Sequence, residues 1–430
     1  MRRLIVLAAL SVCFAAGMTM TATDVVRQIL ALTPGELVGL RMAIAEADKV
    51  ADIDLVLANA DKVLRDSFLS LVPRETRLAY EGRMEKIGTA DEPAVKRAVQ
   101  SIQSLLVPPE MDRIRGQALL REGQYREGAA AYERAFKAGA KGTLDYYFAA
   151  SAWALAGDRD AAFRNLELAV RAGWTDGKML ESDDDLKELR ADPRWADFAA
   201  RLKAERDRRL AALPDSHAVL KTVKLPEPAR DGKVSVEAAL EARRSIRQYA
   251  PGGLSLAEVS QLVWAAYGVN KPVPEVASLG GGLRTAPSAG ACYPLEVYVV
   301  AGKVDGLEAG IYRYEPATHE LRQTLAGDRR AELCEAAANQ NGVRTAPASI
   351  VYSAVYERNT KRYGDRGRER YVCMDLGHSG ENVYLQCAAL GLGTCAIGAF
   401  FDDDVRQVMR LTKLEEPLYI MPMGRTERKE

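Results

Sequence analysis

The sequence predicts a multidomain protein, with an all-α amino-terminal region followed by a carboxy-terminal region that mixes strands and helices. Three observations predict it. A helical pattern repeats with an offset of thirty-four positions, so that Gly123 stands over Gly157 and Gly139 over Gly173. An aperiodic stretch of mixed charge, Pro214 to Asp231 with Pro226 and Pro228 inside it, then breaks the pattern as a linker does. Beyond it come short apolar runs such as "PLEVYVV", Pro294 to Val300, of the kind a buried strand supplies. At 430 residues the chain exceeds one compact domain. With 48% hydrophobic and 27% charged residues it can build cores and is not extensively disordered. A formal net charge of +0 gives no electrostatic ground for binding nucleic acid or an acidic membrane, so both are set aside as partners.

Taken in order, residues 1–22 carry two arginines, an apolar stretch from Leu4 and a small-residue step at Ala15 to Gly17, the pattern of an export signal. Arg2 and Arg3 resemble a twin-arginine leader, which exports folded protein. The expectation is a periplasmic protein with no membrane span in its mature chain, or a cytoplasmic one if synthesis starts at Met18 or Met20. Residues 24–107 read as helices rich in Ala and Leu. Residues 108–212 contain "GQYREGAAAYERAFKAG" and "GDRDAAFRNLELAVRAG", whose period and small residues between paired helices resemble tetratricopeptide repeats. Trp174 to Phe198 resembles the segment that closes such arrays. The region reads either as a groove for a protein partner or as a helical spacer. Residues 213–233 read as the linker and 234–430 as a second domain.

Five of six cysteines, Cys292, Cys334, Cys373, Cys387 and Cys395, fall in the last third without a CxxC pair, and three histidines lie far apart. The pattern is neither a disulfide framework nor a metal site, and no metal is expected.

In the second domain, Ser235 caps a short helix, and Ser255 with Glu258 three residues on forms a capping box ahead of the apolar face Leu256, Val259, Leu262 and Val263. Between them stands "RRSIR", Arg243 to Arg247. Three arginines and a serine at a helix end are either solvated surface or a phosphate site, because guanidinium forks and a hydroxyl match phosphate oxygens. Further on, "RTAPSAGACYPLEVYVV" puts Pro287 to Gly290 directly before a strand, with Gly280 to Gly282 further back; small residues let a backbone approach a flat object. A phosphate site and a close-approach loop suit a mononucleotide with a planar ring, and flavin mononucleotide is the candidate. "LGLGTCAIGAF", Leu390 to Phe400, follows a helix and leads into a strand, the reverse of the dinucleotide-binding order. A last strand, Leu418 to Met423, delivers Gly424 and Arg425.

Five separated segments, "RRSIRQY", "LRTAPSAGACYPLEVYVV", "GIYRYEPATHEL", "YVCMDLGHSGENVYLQCAALGLG" and "CAIGAFFDD", together resemble the flavin-dependent nitroreductase superfamily, most nearly its azoline-dehydrogenase (SagB-type) branch, from about Val234 to Arg425. The resemblance implies an α+β fold on an antiparallel-dominated mixed sheet, and a homodimer with FMN in each of two interface sites. It implies that Arg243, Arg244, Ser245 and Arg247 hold the phosphate and the ring's pyrimidine edge, and that Gly424 and Arg425 add a further contact. Pro287, Ser288, Ala289 and Gly290 would come from the partner subunit, amides of Ile397, Gly398 and Ala399 would face the ring's N5 edge, and Gln340 would touch the ring.

The chemistry implied is hydride transfer from NAD(P)H through flavin N5 to a small-molecule acceptor in ping-pong order. Where the azoline-dehydrogenase pattern has Lys-Tyr-Gly, this chain has Arg362, Tyr363 and Gly364. Arginine keeps its proton, so a general base is lost there and Tyr363 remains as the candidate catalytic donor, with a packing role as the other reading. Asp375 and Glu381 flank His378 at helical spacing, which allows a carboxylate-tuned imidazole or a histidine buried in an interface. Two further readings stay open: azoline oxidation in peptide maturation, and a repeat-based scaffold whose flavin domain is inactive.

Overall fold

The computed structural model describes residues 20–46, 49–85, 87, 91–106, 109–140 and 142–426. The export-signal reading therefore falls mainly outside the described residues. The chain divides into two compact units, Met1–Lys203 and Ala204–Glu430.

Among the described residues the first unit is helical. Helices α1 (Ala22–Leu30), α2 (Pro34–Glu46), α3 (Val50–Ala58), α4 (Lys62–Ser70), α5 (Arg74–Met84) and α6 (Glu92–Gln103) share a core around Val25, Ile29, Ile53, Val56 and Ile102. Thr21 starts α1 through a capping box with Asp24. Next come α7 (Glu110–Arg121), α8 (Tyr125–Lys137), α9 (Thr143–Leu155) and α10 (Arg159–Arg171). Here the thirty-four-residue offset is repeated in the backbone itself. Gly123 and Gly157 have φ of 75° and 77°, and Gly139 and Gly173 have 104° and 111°. These are left-handed values that glycine adopts without steric cost, and each pair ends equivalent helices. Beyond them α11 (Gly177–Ser182) and two short 3₁₀ turns bring Leu180, Leu186 and Leu189 onto the core of Tyr147, Phe163 and Leu166, together with Phe198 from α12 (Arg194–Ala211). The segment after Trp174 thus packs onto the core of the hairpins.

The second unit is α+β. Its strands are β1 (Lys221–Lys224), β2 (Leu254–Ser255), β3 (Val269–Pro272), β4 (Gly282–Arg284), β5 (Leu295–Ala301), β6 (Val304–Asp305), β7 (Gly310–Glu315), β8 (Glu320–Ala326), β9 (Ala348–Val355), β10 (Leu392–Thr394) and β11 (Glu415–Arg425). Seven of them form one sheet in the order β1-β8-β7-β5-β9-β11-β10, and every neighbouring pair in it is antiparallel. Among the described residues the expected parallel component is confined to the two-residue β2–β6 pair and a bridge between Ser245 and Thr394. Both faces are covered, as alternate residues of β5 show. Leu295, Val297 and Val299 enter a core with α14 (Leu256–Tyr267) and α18 (Val372–Ala389), whereas Tyr298 and Val300 enter one with α15 (Arg330–Ala336) and α19 (Asp402–Met409). The remaining helices are α13 (Val236–Ala242), α16 (Asn341–Thr345) and α17 (Glu357–Tyr363).

The structure corrects two expectations. Residues 213–233 are not simply a linker, because they carry β1, which pairs with β8, and His217, whose Nε2 lies 2.9 Å from the buried Glu415 carboxylate. Tyr298, Ser353 and Thr412 also donate to that carboxylate. The glycine run Gly280 to Gly282 belongs to the β3–β4 hairpin. All three have positive φ, and a Cβ on Gly281 would meet Ala317 at 2.8 Å. Their smallness serves the turn and its packing.

Candidate active site

The arginine-rich segment leaves α13 at Arg243 and runs along the β10 edge of the sheet. Ile246 N–H donates to the Thr394 carbonyl at 2.8 Å, and Ala250 N–H to that of Arg425 at 2.9 Å. Glycines permit this approach. A Cβ on Gly393 would lie 2.7 Å from Ile246, one on Gly424 would lie 2.7 Å from the Tyr249 ring, and one on Gly342 would lie 2.8 Å from the Arg247 carbonyl. Tyr249 pins the segment by donating its hydroxyl proton to the Ile246 and Pro422 carbonyls.

The predicted phosphate residues thereby gather on one edge, but they are not equally available. Ser245 Oγ is 3.1 Å from the Tyr384 hydroxyl, and the Arg243 guanidinium lies 5.2 Å from that ring. Arg244 turns back on the end of α13, donating to the Glu241 and Arg243 carbonyls at 2.8 and 2.7 Å, as cations at helix carboxyl ends do. Arg247 is exposed. Arg425 is held by a fork to Glu258, at 2.5 and 2.9 Å. Glu258 is the capping-box carboxylate of α14; burial would raise its pKa, but the Ser255 and Arg425 bonds outweigh that and hold it low. An anion contacting Arg425 therefore has to share that guanidinium with Glu258.

Gln340 donates to the Ala399 carbonyl at 2.9 Å, which ties it to the fifth of the predicted segments. Ile397 exchanges both backbone bonds with Ile420 on β11, so its N–H is spent. Gly398 and Ala399 are exposed.

The Pro287–Gly290 turn stands elsewhere, at the other end of α18. Ser288 Oγ donates to Asp375 at 2.6 Å and Ala289 N–H donates to the same carboxylate at 3.1 Å, while Tyr293 N–H donates back to Ser288 Oγ at 3.0 Å. Asp375 is only 2% exposed, and burial pushes its carboxyl above the ordinary range despite those bonds. The polar atoms of Ser288 and Ala289 thus face their own chain, leaving Pro287 and Gly290 exposed. Gly290, Ala291 and Tyr293 have φ of 60°, 51° and 46°. For the two non-glycine residues this costs roughly 1–2 kcal/mol each, which the carboxylate anchor offsets. Asp375 and Tyr384 are nine residues apart on one helix, or about 14 Å along its axis. The turn and the arginine segment of one chain are therefore held apart.

Tyr363 and Arg362 meet this turn. The Arg362 Nη1 donates to the Gly290 carbonyl at 3.2 Å, and a Cβ on Gly290 would collide with the Tyr363 hydroxyl. The Tyr363 ring also meets Tyr371 edge-on, with centroids 4.9 Å apart. Lys361 points to Glu357 at 3.4 Å. A π-helical turn, Gly367–Tyr371, follows; such turns are frequent at functional sites. His378 and Glu381 are exposed on the helix surface.

Sequence reasoning missed the Asp375 anchor, the Glu258 fork and Tyr384. Asp375 was visible only as a neighbour of His378, and nothing in the sequence pairs Glu258 with a residue 167 positions away. Among the described residues no group of three or more His, Cys, Asp or Glu could hold a metal, and no helix is long and apolar enough to cross a membrane.

An antiparallel sheet between helical layers, with an arginine-serine segment on its edge, defines a class that comparison with known proteins identifies. The model of the Nitroreductase family matches residues 240–425. A Methanocaldococcus jannaschii protein assigned as a nitroreductase is 42% identical over 193 residues, spanning 45% of this chain and 92% of that protein. The chain belongs to the nitroreductase family. It is also similar to the trifolitoxin-processing protein TfxB of Rhizobium leguminosarum bv. trifolii, 34% identical over 113 residues, which cover 25% of this chain and 30% of TfxB. A crystal structure of a Ralstonia eutropha protein assigned as a nitroreductase is 33% identical, with a TM-score of 0.42, covering 50% of this chain and 94% of that one.

Proposed function

We propose that the chain is an FMN-dependent oxidoreductase of nitroreductase type that takes reducing equivalents from NAD(P)H and passes them to a small-molecule acceptor. The observation that carries this reading is the edge segment itself, which sets Arg243, Ser245 and Arg247 along the β10 rim with Ser245 Oγ at the Tyr384 hydroxyl, the group that also accepts from the Ala396 amide two residues before the exposed Gly398. Guanidinium and hydroxyl donors suit a phosphate. Bound FMN would supply the hydride chemistry. Arg243, Ser245 and Arg247 hold its phosphate end. Glu258 keeps Arg425 oriented, and Gln340 fixes the loop at Ala399 through its carbonyl. Asp375 sets the Pro287–Gly290 turn, and Tyr363 stands against that turn as the candidate proton donor.

The separation of turn from arginine segment supports a homodimer in which each turn serves the site of the other copy. The helix hairpins of the first unit serve as a docking groove of tetratricopeptide type for a protein partner, and the leader directs export to the periplasm. A second reading, oxidation during peptide maturation, is favoured by similarity to a toxin-processing protein. Arg362 at the position of the expected lysine weighs against it.

The test is an absorption spectrum of the purified chain, with mass identification of released ligand, for wild type and for Arg243→Ala with Ser245→Ala. The wild type is expected to be yellow and to bleach with NADH or NADPH, and the double variant to lose flavin while its helical unit stays folded. Colourless wild-type protein that refuses added FMN overturns the reading. Unchanged flavin content in the variant removes the assigned phosphate site.

A further inference from the structure

A line of hydrogen bonds joins the loop before Gly398 to the arginine segment, with Tyr384 of α18 in its middle. Ala396 N–H donates to the Tyr384 hydroxyl at 2.8 Å, and that hydroxyl lies 3.1 Å from Ser245 Oγ. The Arg243 guanidinium lies 5.2 Å from the Tyr384 ring centroid, within the range of a cation–π contact. Two of the three donors assigned to the phosphate are thus placed by one side chain: the ring serves Arg243 and the hydroxyl serves Ser245.

The direction of the line follows from what each group can give. A hydroxyl carries one proton and accepts at its oxygen. The Tyr384 oxygen takes the Ala396 N–H, so its own proton needs an acceptor, and among the described residues only Ser245 Oγ is within reach. A phenol is also the stronger acid of the two hydroxyls, which favours the same direction. Ser245 Oγ then receives a proton from Tyr384 and keeps its own to give. No other described group takes that proton, and Ser245 is exposed. Each bond in such a line polarises the next. The backbone here is held by other groups, since Ile246 N–H donates to the Thr394 carbonyl and Tyr249 donates to the Ile246 and Pro422 carbonyls. What is left to the Tyr384 hydroxyl is to orient that of Ser245.

We propose that Tyr384 is a positioning residue that fixes the Ser245 hydroxyl as a donor, and so makes this edge select a phosphorylated flavin over one that ends in a free hydroxyl. The proposal rests on the flavin reading above. A phosphoryl oxygen only accepts, so it is matched by a hydroxyl whose proton is committed outward and by guanidinium groups beside it. A neutral alcohol in the same place gains less, because hydrogen bonds to an ionised group are the stronger ones.

The test is the affinity of the full chain for FMN and for riboflavin, measured by quenching of flavin fluorescence. Tyr384→Phe keeps the ring that Arg243 meets and removes only the hydroxyl. It is expected to cut the preference for FMN over riboflavin by about fivefold or more. The Ala396 amide loses its acceptor with and without ligand alike, so that loss leaves the ratio alone. In a Ser245→Ala background the same substitution is expected to change the preference by less than about twofold, since the two side chains act through one line. A smaller cut in the wild-type background, or equal cuts in both backgrounds, overturns the proposal. The phosphorus NMR resonance of bound FMN supplies a second measurement. It is expected to move in the same direction in Tyr384→Phe and in Ser245→Ala, and a resonance that Tyr384→Phe leaves in place also overturns the proposal. The two levels separate cleanly. Wild-type chain that binds neither flavin removes the flavin reading and this proposal with it, whereas FMN binding with an unchanged preference in Tyr384→Phe removes the role of Tyr384 alone.

Discussion

Replacing Glu415 by Gln tests whether a single buried carboxylate ties the segment before β1 to the sheet. Glu415 is 2% exposed and accepts from His217 at 2.9 Å, Tyr298 at 2.5 Å, Ser353 at 2.9 Å and Thr412 at 2.9 and 2.8 Å. Burial by itself would raise its pKa, but the bonds from His217, Tyr298 and Thr412 outweigh burial and hold the carboxyl at about 2, against an ordinary 4.5. At about 1.4 kcal/mol per pH unit, that difference is about 3 kcal/mol of stability. Because the folded-state pKa is depressed, the contribution is complete above pH 4.5 and disappears as the pH falls through about 2. Urea unfolding followed by near-ultraviolet circular dichroism, at a series of pH values, is the assay. Wild type is expected to exceed Glu415→Gln by about 3 kcal/mol at pH 7, with the gap closing between pH 4.5 and 2. A gap that stays constant across that interval would refute the assignment of a charge-dependent anchor.

Asp375→Ala strips the acceptor from Ser288 and Ala289, each loss costing about 1–3 kcal/mol; amide exchange in residues 286–293 is expected to rise, and unchanged protection would mean the turn holds itself. A fragment beginning at Val234 loses β1 and His217, so it should melt below one beginning at Ala204, and equal melting temperatures would return residues 213–233 to the status of a linker. Gly173→Ala puts a Cβ on a backbone at φ 111°. It is expected to destabilise the helical unit by about 1–2 kcal/mol in thermal unfolding, with no effect on the second unit.

What the sequence made legible was local. The capping box at Ser255 and Glu258 spans three residues, so its spacing announces it, and the repeat announces itself through glycines whose φ values match. β1 was invisible because "KTVK" is four residues long with only Val223 even partly buried, which leaves no alternation to detect. Its place in the sheet is set by register with β8, a hundred residues away. The phosphate segment was legible as chemistry, since arginines with a serine suit one kind of ligand. Their unequal availability was not, because Arg425 is taken by a carboxylate 167 positions distant and Arg244 by carbonyls at its own helix end. Glycine posed the same problem. Gly290 and Gly281 look alike in sequence, but one faces Tyr363 and the other Ala317, and only their spatial neighbours separate a site from a hairpin.

The two borders of the seven-stranded sheet are protected from recruiting further chains by different means. At β10 the arginine segment lies alongside and takes up the Thr394 carbonyl, so that rim offers little template for another molecule's strand. At β1 the rim is short and carries exposed Lys221 and Lys224, whose charges repel an identical neighbour approaching in register. A deletion through 243–250 would therefore do more than remove candidate ligand donors: it would bare an adhesive margin, and clumping of such a truncated protein is the outcome this geometry dictates.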